Sequence, residues 1–264
     1  MQAQWTCIVL AGQRPGPDIF AGHFGLAHKA LIPLRGEPMI THVIRTLHKS
    51  PHVGKIIILS QETEHLRAAA EAAGGAILVS GQSSISKSIK AQVDALGFSS
   101  PLFVTTADHP LLTLEMIDEF LTQADGDVAI AMVERKTMLG QFPDAKRTWL
   151  RFSDGAWSGA NLFALMSLKS VFALDLWADA EQDRKKAWRL FLHFGLRLAS
   201  RALTRTIGLR RALDLAGKRL GLEARLVAMS DPVAAIDVDK LSDHMLAEKI
   251  LAEREAVSGN NLAA

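Results

Sequence analysis

Between Thr6 and Val133 the chain switches repeatedly between two kinds of hydrophobic pattern. Five short runs are continuously apolar or β-branched: "TCIVLAG", "GKIIILS", "AILVS", "PLFVTTA" and "DVAIAMV". Four longer segments between them have helical spacing. "PMITHVIRTLHKS" puts Met39, Val43, Ile44 and Leu47 on one face, and "TEHLRAAAEAAGG" closes on Gly74 and Gly75. "SSISKSIKAQVDALG" opens on serines, and "TLEMIDEFLTQA" follows the fourth run. A strand that is apolar at every position is buried on both faces, and short links between strand and helix favour parallel neighbours. This predicts an α/β fold, with a mostly parallel Rossmann-like sheet covered by helices on both faces.

After Val133 the rhythm changes. "TWLRFSDGAWSGANLFAL" reads as extended segments around an Asp154-Gly155 turn. Leu165 to about Gly221 reads as almost continuous helix, "LEARLVAM" and "VAAIDV" as strands, "KLSDHMLAEKILAERE" as a closing helix, and "SGNNLAA" as a frayed tail. The expected organisation is a domain built from residues 1–164 and 222–264, with a helical insertion at 165–221 before its last strands.

With 264 residues, 48% of them hydrophobic, the chain can bury a large core. No apolar run approaches the ~20 residues of a membrane span. The start, "MQAQWTCIVLAG", lacks the basic region and cleavage site of a signal peptide. The single cysteine, Cys7, lies in the first apolar run and reads as a core residue. These features point to a cytoplasmic protein. The net charge is only +2 but is unevenly spread: residues 184–225 hold twelve Lys/Arg against two acids. There Trp188, Phe191, Leu192, Phe194, Leu196 and Leu198 are mixed with arginines. Such a segment fits peripheral contact with an anionic membrane, capture of an anionic ligand or partner, or a solvated basic face. No reader motif accompanies the charge, so nucleic acid is not expected as a partner.

Ligands of parallel sheets sit beyond the carboxyl ends of the strands. Two features fall there. One is the loop "LAGQRPGPDIFAGHFGLAHK", whose glycines would let the backbone approach phosphate oxygens and whose cations are Arg14 and Lys29. The other is Asp108, placed at the end of a buried strand and followed two residues later by Pro110. A third carboxylate group, Asp237 and Asp239, is spaced to share one face of an extended segment. Together with Asp108 it would suit Mg²⁺, which takes a few carboxylates plus phosphate oxygens and water. Strand-end turn formation or capping of the last helix would account for Asp237 and Asp239 equally well.

These motifs, in this order, resemble nucleotidyltransferases of the nucleotide-diphospho-sugar transferase fold. "IVLAGQR…HKALIPLRGEPMITHVI" is similar to their opening motif, "TTADHPLLT" to their metal-binding D-x-P, and "GANLF" to an internal turn. "AIDVDKLSDHMLAEKIL" resembles the closing motif of the molybdenum-cofactor guanylyltransferase-like branch. The resemblance spans residues 5–163 and 226–251. It departs from the family pattern in the long insert between Arg14 and Lys29, in His28 where proline is usual, and in Lys240-Leu241-Ser242.

The resemblance implies transfer of an NMP from an NTP, CTP or GTP, to a phosphorylated small molecule, with release of pyrophosphate. A polar-lipid head-group precursor is one such acceptor. Leu10, Ala11, Gly12, Arg14 and Lys29 would wrap the triphosphate, and Asp108 with Asp237 or Asp239 would hold Mg²⁺. Gly81, Gln82, Ser84 and Ser88 would read the base or ribose, and Asn161 would face the acceptor or the sugar. Lys136 and Lys146 are further cations for an acceptor phosphate, although solvated lysines are the plainer reading. His109 reads as a turn or hydrogen-bonding residue, because an acceptor phosphate needs no strong base. Two alternatives stay open: a glycosyltransferase of the same fold, and a non-catalytic nucleotide-binding regulator that docks through its basic helices.

Overall fold

The computed structural model describes residues 4–13, 16–82, 84–97, 100–175 and 195–262. Arg14 and the stretch 176–194, with Trp188, Phe191, Leu192 and Phe194, lie outside the described residues.

All five apolar runs are strands: β1 (Trp5–Leu10), β4 (Val53–Ser60), β5 (Ile77–Ser80), β6 (Leu102–Thr106) and β7 (Val128–Glu134). A minor hairpin, β2 (Pro33–Leu34) and β3 (Glu37–Pro38), leads into α2 (Met39–Lys49). The other covering helices of this half are α3 (Glu64–Ala72), α4 (Ile85–Leu96) and α5 (Leu114–Gln123), and α6 (Arg135–Gln141) follows β7. Their ends follow local chemistry. Thr113 caps α5 by accepting from the Met116 amide, and Ser84 caps α4 by accepting from Lys87. Gly74, at φ +109°, supplies the left-handed turn that stops α3.

The sheet runs in the order β10-β7-β9-β6-β1-β4-β5, with β8 (Leu150–Phe152) pairing with β9 (Gly155–Leu165). Pairings β1–β4, β1–β6, β4–β5 and β7–β10 (β10, Ala224–Ala228) are parallel. β9 runs antiparallel to both β6 and β7, so one reversed strand is wedged into an otherwise parallel sheet. Alternate residues feed two cores. Cys7, Val9, Ile58 and Phe103 join the layer that contains Phe120, while Ile8, Ile57, Leu59 and Val104 pack with Ile89 and Val93. Burial pushes the Cys7 thiol well above its ordinary pKa, consistent with an inert core residue.

Two readings of the second half need correction. "VAAIDV" is not a strand: Pro232–Ala235 is a 3-10 turn, capped by Asp231, whose carboxylate accepts from the Val233 amide at 2.8 Å. Asp followed by Pro is a helix-start signal, and here it outweighs the apolar run behind it. The last helix, α9 (Leu241–Leu262), also continues through most of the segment expected to fray. In the basic region the described helices are α7 (Leu196–Leu203) and α8 (Leu209–Arg219), separated by a break at 204–208. α8 packs beside the sheet edge, where Leu209 joins Met132, Trp157 and Leu226, and Asp154 accepts from the Leu209 amide at 2.9 Å. Among the described residues, no helix is long and apolar enough to cross a membrane.

Candidate active site

The chain runs from β1 outward through β4 to β5, then returns to β1's other side as β6. The crevice at such a reversal is where α/β sheets bind ligands. The backbone is tied down there: the Leu10 carbonyl accepts from Ala107, and the Ala11 amide donates to Leu59, both at 2.9 Å. Leu10 and Ala11 therefore form the rim. Gly12 lies against the connection after β4, where a Cβ would stand 2.8 Å from Gln61 Oε1. The same Gln61 oxygen accepts from the Gln13 amide at 3.2 Å.

The long loop is partly folded. Asp18 caps a single helical turn, α1 (Ile19–Gly22), which buries Phe20 and Ala21. Phe20 and Phe24 meet edge-on at 5.6 Å, and Phe24 packs against His244 of α9 at 4.9 Å with a 44° tilt. The aromatic insert thus ties the loop to the closing helix, and a short 3-10 turn that begins at Lys29 follows it.

Lys29 is the hub. Its ammonium contacts Asp108 Oδ2 at 2.5 Å and also Asp239 Oδ1. Thr106 donates to the other Asp108 oxygen at 2.5 Å, and the Val238 amide donates to the Asp108 carbonyl at 2.9 Å. Asp108 is therefore fixed from three sides, and the segment 237–239 is docked onto it. Asp237, by contrast, pairs with Arg147. The acidic residues come together from distant parts of the chain, but they share two cations, Lys29 and Arg147, instead of standing free.

The charges feel one another strongly. Burial pulls the Lys29 ammonium down, but Asp108 and Asp239 outweigh it and hold its pKa above the usual lysine value. The Asp237 carboxyl is pushed up to about 6, first by burial and then by the Asp239 charge, which Arg147 only partly offsets. Partial desolvation also raises Asp239, yet Lys29 prevails and holds it below the ordinary carboxylate value. His109 is fully buried, and burial lowers its pKa to about 4. Its backbone shapes the turn, with its carbonyl accepting from Leu112 at 3.1 Å, while neither ring nitrogen has a hydrogen-bond partner among the described residues. The turn role holds, and the hydrogen-bonding role does not extend to the ring.

The other expected residues fall into place unevenly. The Ser84 and Ser88 hydroxyls are engaged locally: Ser88 donates to the Ser84 carbonyl at 2.8 Å and accepts from the Gln82 amide at 2.7 Å. Gly81, whose amide donates to the Ser60 carbonyl at 2.7 Å, completes this shelf beyond β5. Asn161 sits in β9 with φ +52°, where the pairing with β7 slips register. Asparagine tolerates that left-handed backbone better than most residues. Lys136 is exposed and pairs with Glu134 at 2.8 Å. Arg147, Thr106 and Gln61 went unnoticed in the sequence. Arg147 could be separated from exposed Lys146 only by the alternating burial around Trp149, which needs coordinates.

Comparison with known proteins identifies the family. Residues 7–214 match a family described as the MobA-like NTP transferase domain. The chain is 27% identical over 171 residues to a 3-deoxy-manno-octulosonate cytidylyltransferase from Geotalea daltonii, covering 64% of this chain and 67% of that protein. A hypothetical transferase from Thermus thermophilus superposes with a TM-score of 0.76 at 26% identity, covering 91% of this chain and 99% of the other. CMP:2-keto-3-deoxy-manno-octonic acid synthetase complexed with CTP shares the fold at a TM-score of 0.55 and 14% identity, over 96% and 100% of the two chains.

Proposed function

The chain belongs to the MobA-like NTP transferase family and is a nucleotidyltransferase, and from that premise we propose that it transfers CMP from CTP to a phosphorylated small molecule, releasing pyrophosphate. The observation that carries the reading is the Lys29 ammonium held between Asp108 and Asp239 at the sheet's reversal point. Cytidine is favoured over guanosine by the cytidylyltransferase relative and by the CTP-bound structure of similar fold.

In the reaction an acceptor phosphate oxygen attacks the α-phosphorus as the bond to the bridging oxygen of the β-phosphate breaks. No covalent protein intermediate is needed, so alignment and charge neutralisation do most of the work. The rim at Leu10, Ala11 and Gly12 would orient the triphosphate, with Arg14 and Lys29 on its oxygens. Lys29 would exchange its carboxylate partners for phosphate. Thr106 keeps the Asp108 carboxylate aimed at the crevice. Gly81, Gln82, Ser84 and Ser88 would meet the base and ribose, with Asn161 and Lys136 on the acceptor side.

The acidic group fits a hard divalent cation: two carboxylates already close around one positive charge, and a third is held near them at a raised pKa. Asp108 and Asp239, with Asp237 beside them, would hold Mg²⁺, whose contribution is to neutralise charge on the phosphates. A pyrophosphate-release screen tests the function by crossing four NTPs with sugar, polyol and lipid-precursor phosphates and with an unphosphorylated sugar acid. CTP with a phosphorylated acceptor should release pyrophosphate. Turnover confined to the sugar acid would overturn the acceptor class, and none with any pair would overturn the function.

Peripheral contact with anionic membranes through 184–225 belongs to the same reading. It is supported by Leu196 and Leu203, both exposed on α7, which also carries Arg197 and Arg201. Flotation with anionic and neutral vesicles tests it, and equal failure with both removes it.

A further inference from the structure

His28, the residue before Lys29, takes no part in the site described above. Its Nε2 lies 3.3 Å from Glu62 Oε2, and the Nε2 of His65 lies 3.3 Å from that same oxygen. The two imidazoles stack at 4.4 Å with a 31° tilt, and one donor atom from each of the three residues lies within 4.8 Å of the others. Glu62 belongs to the connection after β4, and His65 to the first turn of α3.

Chemistry separates this group from the acidic one. Among the described residues no lysine or arginine pairs with Glu62, whose ion-pair partners are the two histidines. Two imidazole nitrogens and one carboxylate oxygen form a donor set suited to Zn²⁺ and similar borderline ions, whereas Mg²⁺ prefers oxygen alone. Two of the three spacings agree: tetrahedral ligands about 2.0–2.1 Å from zinc stand roughly 3.3 Å apart, as each Nε2 does from the shared Glu62 oxygen. Burial also suits a site with one open position, since His28 is buried while Glu62 and His65 face solvent.

We propose that His28, Glu62 and His65 bind one Zn²⁺-class ion, which clamps the end of the phosphate-facing loop onto the β4–α3 connection. The same connection already grips the loop's other end, where Gln61 touches Gly12 and accepts from Gln13. An ion on His28 would fix the backbone from which Lys29 extends. The clamp rests on the loop's placement in the reading above, but the metal site does not.

The test is Zn²⁺ binding to the full metal-free chain near pH 7.5, followed by equilibrium dialysis and by the visible spectrum of the Co²⁺ form. One equivalent should bind, with the intense bands of tetrahedral Co²⁺. His65→Ala and Glu62→Gln, both at exposed positions, should weaken binding by about 100-fold or more. Asp108→Asn should bind Zn²⁺ as wild type does, which separates this site from the acidic one whatever happens to turnover. Absence of binding in wild type, or equal binding by His65→Ala, overturns the site. Hydrogen exchange reads the clamp: Zn²⁺ should slow the amides of residues 16–28 in wild type and leave them unchanged in His65→Ala. A bound ion that slows none of them overturns the clamp.

Discussion

His28 and Lys29 are neighbours in the chain, yet they end in two clusters of opposite character. Lys29 joins an all-oxygen group in which positive side chains already sit among the carboxylates. His28 joins a mixed nitrogen and oxygen group with no lysine or arginine on its carboxylate among the described residues. On the proposed function the first would be built for exchange, with Lys29 turning to the triphosphate and the carboxylates free to hold a hard cation. On the zinc proposal the second would hold, because a donor set with two imidazoles suits a borderline ion of fixed tetrahedral geometry. The difference teaches that one loop end can be movable in charge and anchored in position, since adjacent side chains lean into separate chemistry.

The sharpest way to break this comparison is Asp108→Ala. Turnover should fall by roughly 10³-fold or more, the equivalent of about 4 kcal/mol in the barrier, with the circular dichroism spectrum unchanged. Full activity in that variant would mean the oxygen cluster is not the reaction centre. Next in size is Lys29→Met, for which the KM for CTP should rise about 10–100-fold as the triphosphate loses a charge-assisted partner. A wild-type KM would place the triphosphate elsewhere.

Two smaller effects sharpen the electrostatics through pH. His109 has a pKa of about 4 when folded and an ordinary one when unfolded, so the unfolded state takes up the proton first. Its stabilising contribution is present above the unfolded value and fades as pH falls from about 6.5 to about 4, by roughly 3 kcal/mol. His109→Leu should flatten that part of the denaturation profile; an unaltered slope would mean the ring finds a proton partner. Asp237 has the opposite sign. With its folded pKa raised to about 6, its contribution is complete below the unfolded value and is lost as pH rises through about 6. Measured in chelator, Asp237→Asn should therefore compare better with wild type at pH 7 than at pH 4. No change with pH would show that Arg147 alone governs the group.

The legibility of the chain divides along similar lines. The strands from β1 to β7 and their helices could be read because each obeys a local rule: unbroken apolar runs, Thr113 as a cap, Gly74 as a stop. Asp108 could be read because a carboxylate at the end of a buried strand is conspicuous. The reversed strand β9 could not be placed, since pairing with β6 and β7 is decided by partners distant in sequence. Arg147 and Glu62 were hidden for the same reason, because ordinary surface residues become significant only through what folds against them.

By itself, then, the sequence determined the α/β alternation, the glycine-rich loop and the carboxylate at the end of β6, because periodicity and residue type are local properties of the chain. Only the tertiary structure decided that Lys29 bridges Asp108 and Asp239, that Asp237 turns to Arg147, and that His28 meets Glu62 and His65. Those contacts join segments tens to hundreds of residues apart, and packing alone sets which side chains share the space between them.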